Sequence, residues 1–180
     1  RLIVVSNYWM HDGYESTYEF EVGGGNTMIE LSHKIKEALI KIDFIKRYEE
    51  ISKKYNVDRT PSSKRLVYLD GEEVMEIIQD LGYSSIFDSK EKFYKIIEEQ
   101  KGDFSFCVHI ILRDGMVDLV WVVREKEELI LGAPWGTYSR RLIDSSYRIK
   151  KPVFSNYEDL KEILKITFKM YEDFKSVLYS

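Results

Sequence analysis

The chain has 180 residues, 44% hydrophobic and 32% charged, which is enough length and apolar content to bury a core without disulfides or a structural metal. Three prolines and ten glycines exclude fibrous and low-complexity architectures, and a single cysteine, Cys107, excludes an internal disulfide framework and a multi-cysteine zinc site. A net charge of -4 and a pI near 5.5 argue against a general nucleic-acid binder.

The lone cysteine suits a reducing compartment, so a cytoplasmic protein is expected. The opening apolar run, Leu2 to Val5, is too short for a signal-peptide core, and no stretch approaches the ~18 apolar residues of a membrane span. The chain begins at Arg1, and a trimmed N terminus is the expectation.

Residues 2–6 read as a strand. Residues 14–22 alternate: Tyr14, Ser16, Tyr18, Phe20 and Val22 face one way, and Glu15, Thr17, Glu19 and Glu21 the other. His11-Asp12-Gly13 supplies the turn of a hairpin. Gly23 to Asn26 breaks the second strand, and Thr27 to Glu30 reads as a capping box that starts a helix. Its apolar stripe is Ile35, Leu39, Ile42, Ile45, Tyr48 and Ile51, with a bend or break near Asp43. Residues 56–63 read as a loop and 64–69 as a short strand.

Asp70 to Glu73 caps a second helix over Val74, Ile77, Ile78 and Leu81, which Gly82 ends. Asp88 or Ser89 is expected to cap a third helix carrying Phe93, Ile96 and Ile97, closed by Gly102. Then comes the strongest hairpin. Residues 103–112 and 116–124 flank Asp114-Gly115, a favoured two-residue turn, and both strands are apolar enough to be central. Residues 128–133 add a strand, a loop runs through Trp135 and Tyr138, and Tyr147 to Ile149 pairs briefly. A capping box at Ser155 to Glu158 opens a C-terminal helix striped by Leu160, Ile163, Leu164, Phe168, Tyr171, Phe174 and Leu178. The expectation is one α+β domain over residues 1–180, mainly an antiparallel sheet covered by helices, with a C-terminal helix.

Catalytic patterns are incomplete. A GxGxxG starting at Gly23 needs glycine where Met28 stands, and the nearby carboxylates repel phosphate. His11, His33 and His109 form no HExxH and no close pair, so neither a metal nor a cofactor is implied. Cys107 and His109 share one strand face about 6.5–7 Å apart, too far for a thiolate–imidazole bond, and Cys107 reads as a packed core residue.

Charge is segregated. Leu2 to His33 holds Asp12, Glu15, Glu19, Glu21 and Glu30 and no Lys or Arg, whereas Gly132 to Lys151 holds Arg140, Arg141, Arg148, Lys150 and Lys151 against Asp144 alone. The first segment also carries Tyr8, Trp9, Tyr14 and Tyr18, so Trp9, Tyr14, Glu15, Glu19 and Glu21 form a candidate surface for a basic protein partner. The same carboxylates equally suit the wet side of an edge strand, and the two charged segments suit each other. Arg140 and Arg141, beside Trp135 and Tyr138, are a candidate contact for an anion or a partner carboxylate.

The hairpin FSFCVHIILRDGMVDLVWVV, the following LILGAPWGTYSRRL and the helix entry PVFSNYEDLKEILKITFKMYEDFKSVL together resemble small bacterial immunity proteins that neutralise a cognate polymorphic or contact-dependent toxin. The resemblance spans about residues 103–178. It implies a non-enzymatic, cytoplasmic protein that binds a toxin domain and carries no catalytic residues, with neither nucleic acid nor membrane as its partner. The acidic N-terminal span fits a basic nuclease as that toxin. Two other readings stand beside it: a small enzyme or ligand-binding domain with an anion-accepting pocket near Trp135, Arg140 and Arg141, and a module that pairs with its own copy.

Overall fold

The computed structural model describes residues 2–5, 19–22 and 31–180. The strands β1 (Leu2–Val5) and β2 (Glu19–Val22) pair antiparallel, Leu2 opposite Val22 and Val5 opposite Glu19, as the N-terminal hairpin reading requires. Its turn at His11, its residues 14–18 and the capping box at Thr27 lie outside the described residues.

The first described helix starts later than the capping box suggests. Helix α1 (His33–Lys41) is capped by Ser32, whose hydroxyl accepts from the Ile35 amide at 3.3 Å. The break near Asp43 is real: Asp43 takes the left-handed conformation, φ 54°, and α2 (Phe44–Lys54) follows. The stripe then buries Ile35, Leu39, Ile42, Tyr48 and Ile51 together with Phe44. The strand expected over 64–69 is absent. The chain makes two 3-10 turns, Val57–Arg59 and Ser62–Lys64, and a single strand-like bond, Leu66 N–H to the Phe154 carbonyl at 3.0 Å.

Helix α3 (Gly71–Asp80) forms as expected, with the Asp70 carboxylate accepting from the Glu72 amide and Gly82 leaving it at φ 96°. The expected third helix does not form. Residues 85–101 make three short strands, β3 (Ser85–Asp88), β4 (Phe93–Ile96) and β5 (Glu99–Lys101). The Asp88 carboxylate accepts from the amides of Lys90 and Glu91, which is how a helix begins, but Lys92 turns to φ 60° and the chain reverses. Tyr94 and Ile96 are then buried alternately, at strand period.

The central hairpin forms about the predicted turn, with strand bounds within one residue of those expected. Strands β6 (Phe104–Arg113) and β7 (Met116–Glu125) flank Asp114 (φ 53°) and Gly115 (φ 72°), with Phe106 opposite Val123, Val108 opposite Trp121 and Ile110 opposite Leu119. Strand β8 (Glu128–Pro134) completes an antiparallel sheet in the order β3-β4-β6-β7-β8, with β5 also on β6. The loop expected through Trp135 and Tyr138 is instead a helix, α4 (Trp135–Leu142), because it buries Trp135, Tyr138 and Ser139 on one side. No strand forms at Tyr147 to Ile149. The pairing moves on to Val153, which bridges Met116. Helix α5 (Tyr157–Tyr179), capped by Asn156, buries the whole predicted stripe against the sheet. The result is an α+β fold with helices over an antiparallel sheet and a C-terminal helix. Among the described residues no helix is long and apolar enough to cross a membrane.

Candidate functional site

The sheet ends differently on its two sides. At the β8 edge the chain reaches Pro134 and folds straight into α4, which places Trp135 and Tyr138 among Phe44, Tyr48 and Trp121. At the β3 edge, Ile86 is 54% exposed and Phe87 44%, and Ile97 beside them is 55% exposed. Large apolar side chains left this exposed gain only part of the stabilisation that full burial gives.

A cleft of about 470 Å³ opens where α3 runs into β3. Its walls are Leu81, Tyr83, Ile96 and Ile97, and its polar floor is Glu99, Glu172 and Lys175. The register explains how Glu99 arrives there. Lys95 pairs with His109 but Glu99 pairs with Phe106, so the edge alongside β6 holds one extra residue between them, a bulge at Ile97-Glu98. Glu172 and Lys175 reach in from α5 as an i,i+3 pair.

The floor is a closed hydrogen-bond network. Only 3% of the Lys175 side chain is exposed, and its ammonium donates to Glu99 Oε2, pairs with Glu172 Oε1 at 2.9 Å and lies 4.4 Å from the Tyr171 ring centre. Tyr83 Oη donates to the same Glu172 oxygen at 2.5 Å, and Lys101 stands 3.5 Å from Glu99. The hydrogen bond from Lys175 is the main reason the Glu99 carboxyl titrates below its usual range. Burial first, and then Glu172, push the Tyr83 phenol well above its ordinary value, so it stays a donor at any physiological pH. Glu99 and Glu172 thus line the cleft as carboxylates already paired with Lys175. Their oxygens can accept a further hydrogen bond from a cationic donor. At the adjoining strand, Ser85 Oγ is buried with no hydrogen-bond partner.

Charge along α3 and β3 has one sign, while β4 brings Lys95 opposite Ile86. From Leu66 to Ser89 there are Asp70, Glu72, Glu73, Glu76, Asp80 and Asp88 and no Lys or Arg. Glu72, Glu73, Glu76 and Asp80 are exposed along α3, and only Asp80 is offset by an ion pair, with Lys161 at 3.0 Å.

The residues singled out from sequence fall elsewhere. Trp9, Tyr14 and Glu15 lie outside the described residues, and Glu19 and Glu21 stand on β2 opposite Val5 and Ile3. Trp135 and Tyr138 are core side chains, and the Tyr138 hydroxyl is held by the Trp121 backbone, accepting from its amide at 3.2 Å. Arg140 donates to Thr137 Oγ1 at 3.2 Å, and Arg141 shares the last turn of α4 with it. Of the basic segment, Lys150 pairs with Asp58, and Lys151 lies 3.5 Å from Asp118 with both buried. Cys107 and His109 keep separate partners: Cys107 donates to the Ile96 carbonyl at 3.2 Å, and His109 stacks on Phe93 at 4.2 Å.

Sequence reasoning missed the cleft because Glu99 and Lys175 are 76 residues apart and only the bulge and α5 bring them together. A signal did exist for the acidic face, since Lys and Arg are missing from Leu66 to Ser89 as they are from the longer N-terminal span. The chain matches no family model, no curated protein and no solved structure.

Proposed function

We propose that this chain is a non-enzymatic immunity protein that works in the cytoplasm by binding and neutralising a cognate bacterial toxin domain, with a basic nuclease the partner its charge fits. One observation carries the reading. Exposed carboxylates on α3, with no basic residue from Leu66 to Ser89, border exposed Ile86, Phe87 and Ile97 at the edge of the sheet. Apolar anchors within a charged rim are what a specific protein interface uses, the anchors for affinity and the charges for encounter rate and selection. A nuclease domain presents cationic side chains to its nucleic-acid substrate, so a carboxylate-rich face that covers them blocks substrate and active site together.

The test is affinity capture from cells of the source organism, followed by an activity assay on what is recovered. The expected result is one stoichiometric basic protein whose nuclease activity is abolished by an equimolar amount of this chain. Glu72→Lys, Glu73→Lys and Glu76→Lys together should weaken that complex by about 10²-fold, mostly at low salt. A recovered partner that stays fully active when saturated, or a complex indifferent to the triple reversal, overturns the reading. Reversing Glu15, Glu19 and Glu21 in parallel asks whether the N-terminal acids contribute as well.

A further inference from the structure

Resting on the partner-binding reading, the geometry points to how the partner docks: we infer that an extended segment bearing Lys or Arg adds as a further strand along the outer edge of β3. The ladder fixes which backbone groups are open. The Ile97 amide donates to the Ser84 carbonyl at 3.1 Å, so Ser84 and Ile97 form a hydrogen-bonded pair. In an antiparallel ladder such pairs alternate, which turns the N–H and C=O of Ile86 and Asp88 toward β4 and those of Ser85 and Phe87 away from it. Among the described residues no strand pairs with that outer side.

Exposed edges are ordinarily blunted by lysine, proline, a bulge or a covering element. The opposite edge ends in Pro134 and runs into α4. Strand β3 is Ser-Ile-Phe-Asp, with no lysine, proline or bulge within it, and among the described residues shortness is its protection. The occupant is specified by what flanks the edge. Ser85 and Phe87 share a sheet face with Ile96 and Tyr94, their cross-strand partners, and the Phe87 and Tyr94 rings meet at 4.8 Å. On that face an incoming side chain beside Phe87 meets apolar surface. One placed toward Ser84 meets the cleft and the oxygens of Glu99 and Glu172, which accept from a guanidinium or ammonium. On the other face Ile86 offers a second apolar contact. Main-chain pairing supplies affinity and the alternating pockets supply selection.

The probe is a ten-residue peptide of alternating Arg and Val, compared with versions N-methylated at every Arg or at every Val. Binding should slow amide hydrogen exchange at Ser85 and Phe87 at least tenfold and leave Ile86, already paired, unchanged. At least one N-methylated version should bind tenfold or more weakly. Failure of the parent peptide to bind, protection elsewhere on the chain, or equal binding by all three versions overturns strand addition. This measurement needs no toxin, so it stands apart from the fate of the immunity reading. With a recovered toxin domain, Phe87→Pro removes an outward N–H and Phe87→Leu retains it. A complex that tolerates Phe87→Pro but not the α3 charge reversals leaves the partner reading standing and removes this mode of docking.

Discussion

One sheet carries two unlike edges. At the β8 side, Trp121 stacks on Phe174 at 4.7 Å and meets Trp135 edge-on at 5.3 Å, so each ring is held by several others. At the β3 side, Phe87 has one ring partner, Tyr94, and it and Ile86 are about half exposed. The first arrangement is what folding stability selects. The second leaves apolar side chains about half exposed at the rim of the sheet. Close packing and apolar exposure thus sit at opposite ends of a shared hydrogen-bonded ladder.

The sharpest way to break this contrast is to truncate both ends. Trp121→Ala should cost about 3–5 kcal/mol in urea unfolding, whereas Ile86→Ala should stay within about 0.5 kcal/mol. Comparable losses would show that the β3 edge is part of the structural core.

The next largest effect is pH-dependent and lies on the face of the sheet where His109 meets Phe93. Burial, helped by Lys95, lowers the His109 pKa from 6.5 to about 4. An unfolded chain therefore binds this proton first. The stabilisation is complete above pH 6.5 and drains away as pH falls toward 4, by on the order of 2 kcal/mol. His109→Gln should flatten the stability profile over that window. A profile that keeps its slope would assign the loss to other groups.

At the turn of the central hairpin, a Cβ on Gly115 would stand 2.5 Å from the Arg65 Cβ, at a backbone φ of 72°. Gly115→Ala should cost about 1–2 kcal/mol by chemical denaturation. Smaller still, Asn156→Ala removes the cap of α5 and should cost about 1 kcal/mol, since the amide of Asp159 loses its acceptor at 2.8 Å.

The stable side of this comparison was also the legible one. The register of β6 and β7 follows from strict alternation around Asp114-Gly115, and α5 from a stripe that repeats over about five turns. Both patterns are long enough for periodicity to decide. The β3 side was misread for a local reason. Asp88 accepts amide bonds as a helix cap does, Glu98-Glu99 suit a helix, and only the left-handed Lys92 commits the chain to a hairpin. Helix α4 was legible in principle, because Trp135, Tyr138, Ser139 and Leu142 follow i, i+3, i+4, i+7 spacing, but at eight residues its formation is decided by burial more than by propensity. The cleft had no signature at all in linear sequence, being assembled by a single-residue bulge and a helix that arrives at the end of the chain.

The thiol of Cys107 spans the seam between β4 and β6, giving its hydrogen to the Ile96 carbonyl, and burial pushes its pKa up to about 11. At neutral pH its reactive thiolate is on the order of 10⁻⁴ of the total. Because Cys107 is 4% exposed, an alkylating reagent reaches it in molecules where the packing around it has parted. The chain has a single cysteine, so its rate of modification is a direct clock for that parting, readable on the intact protein by mass alone. Anything that clamps the β3–β4 ribbon in place should make the clock run slower.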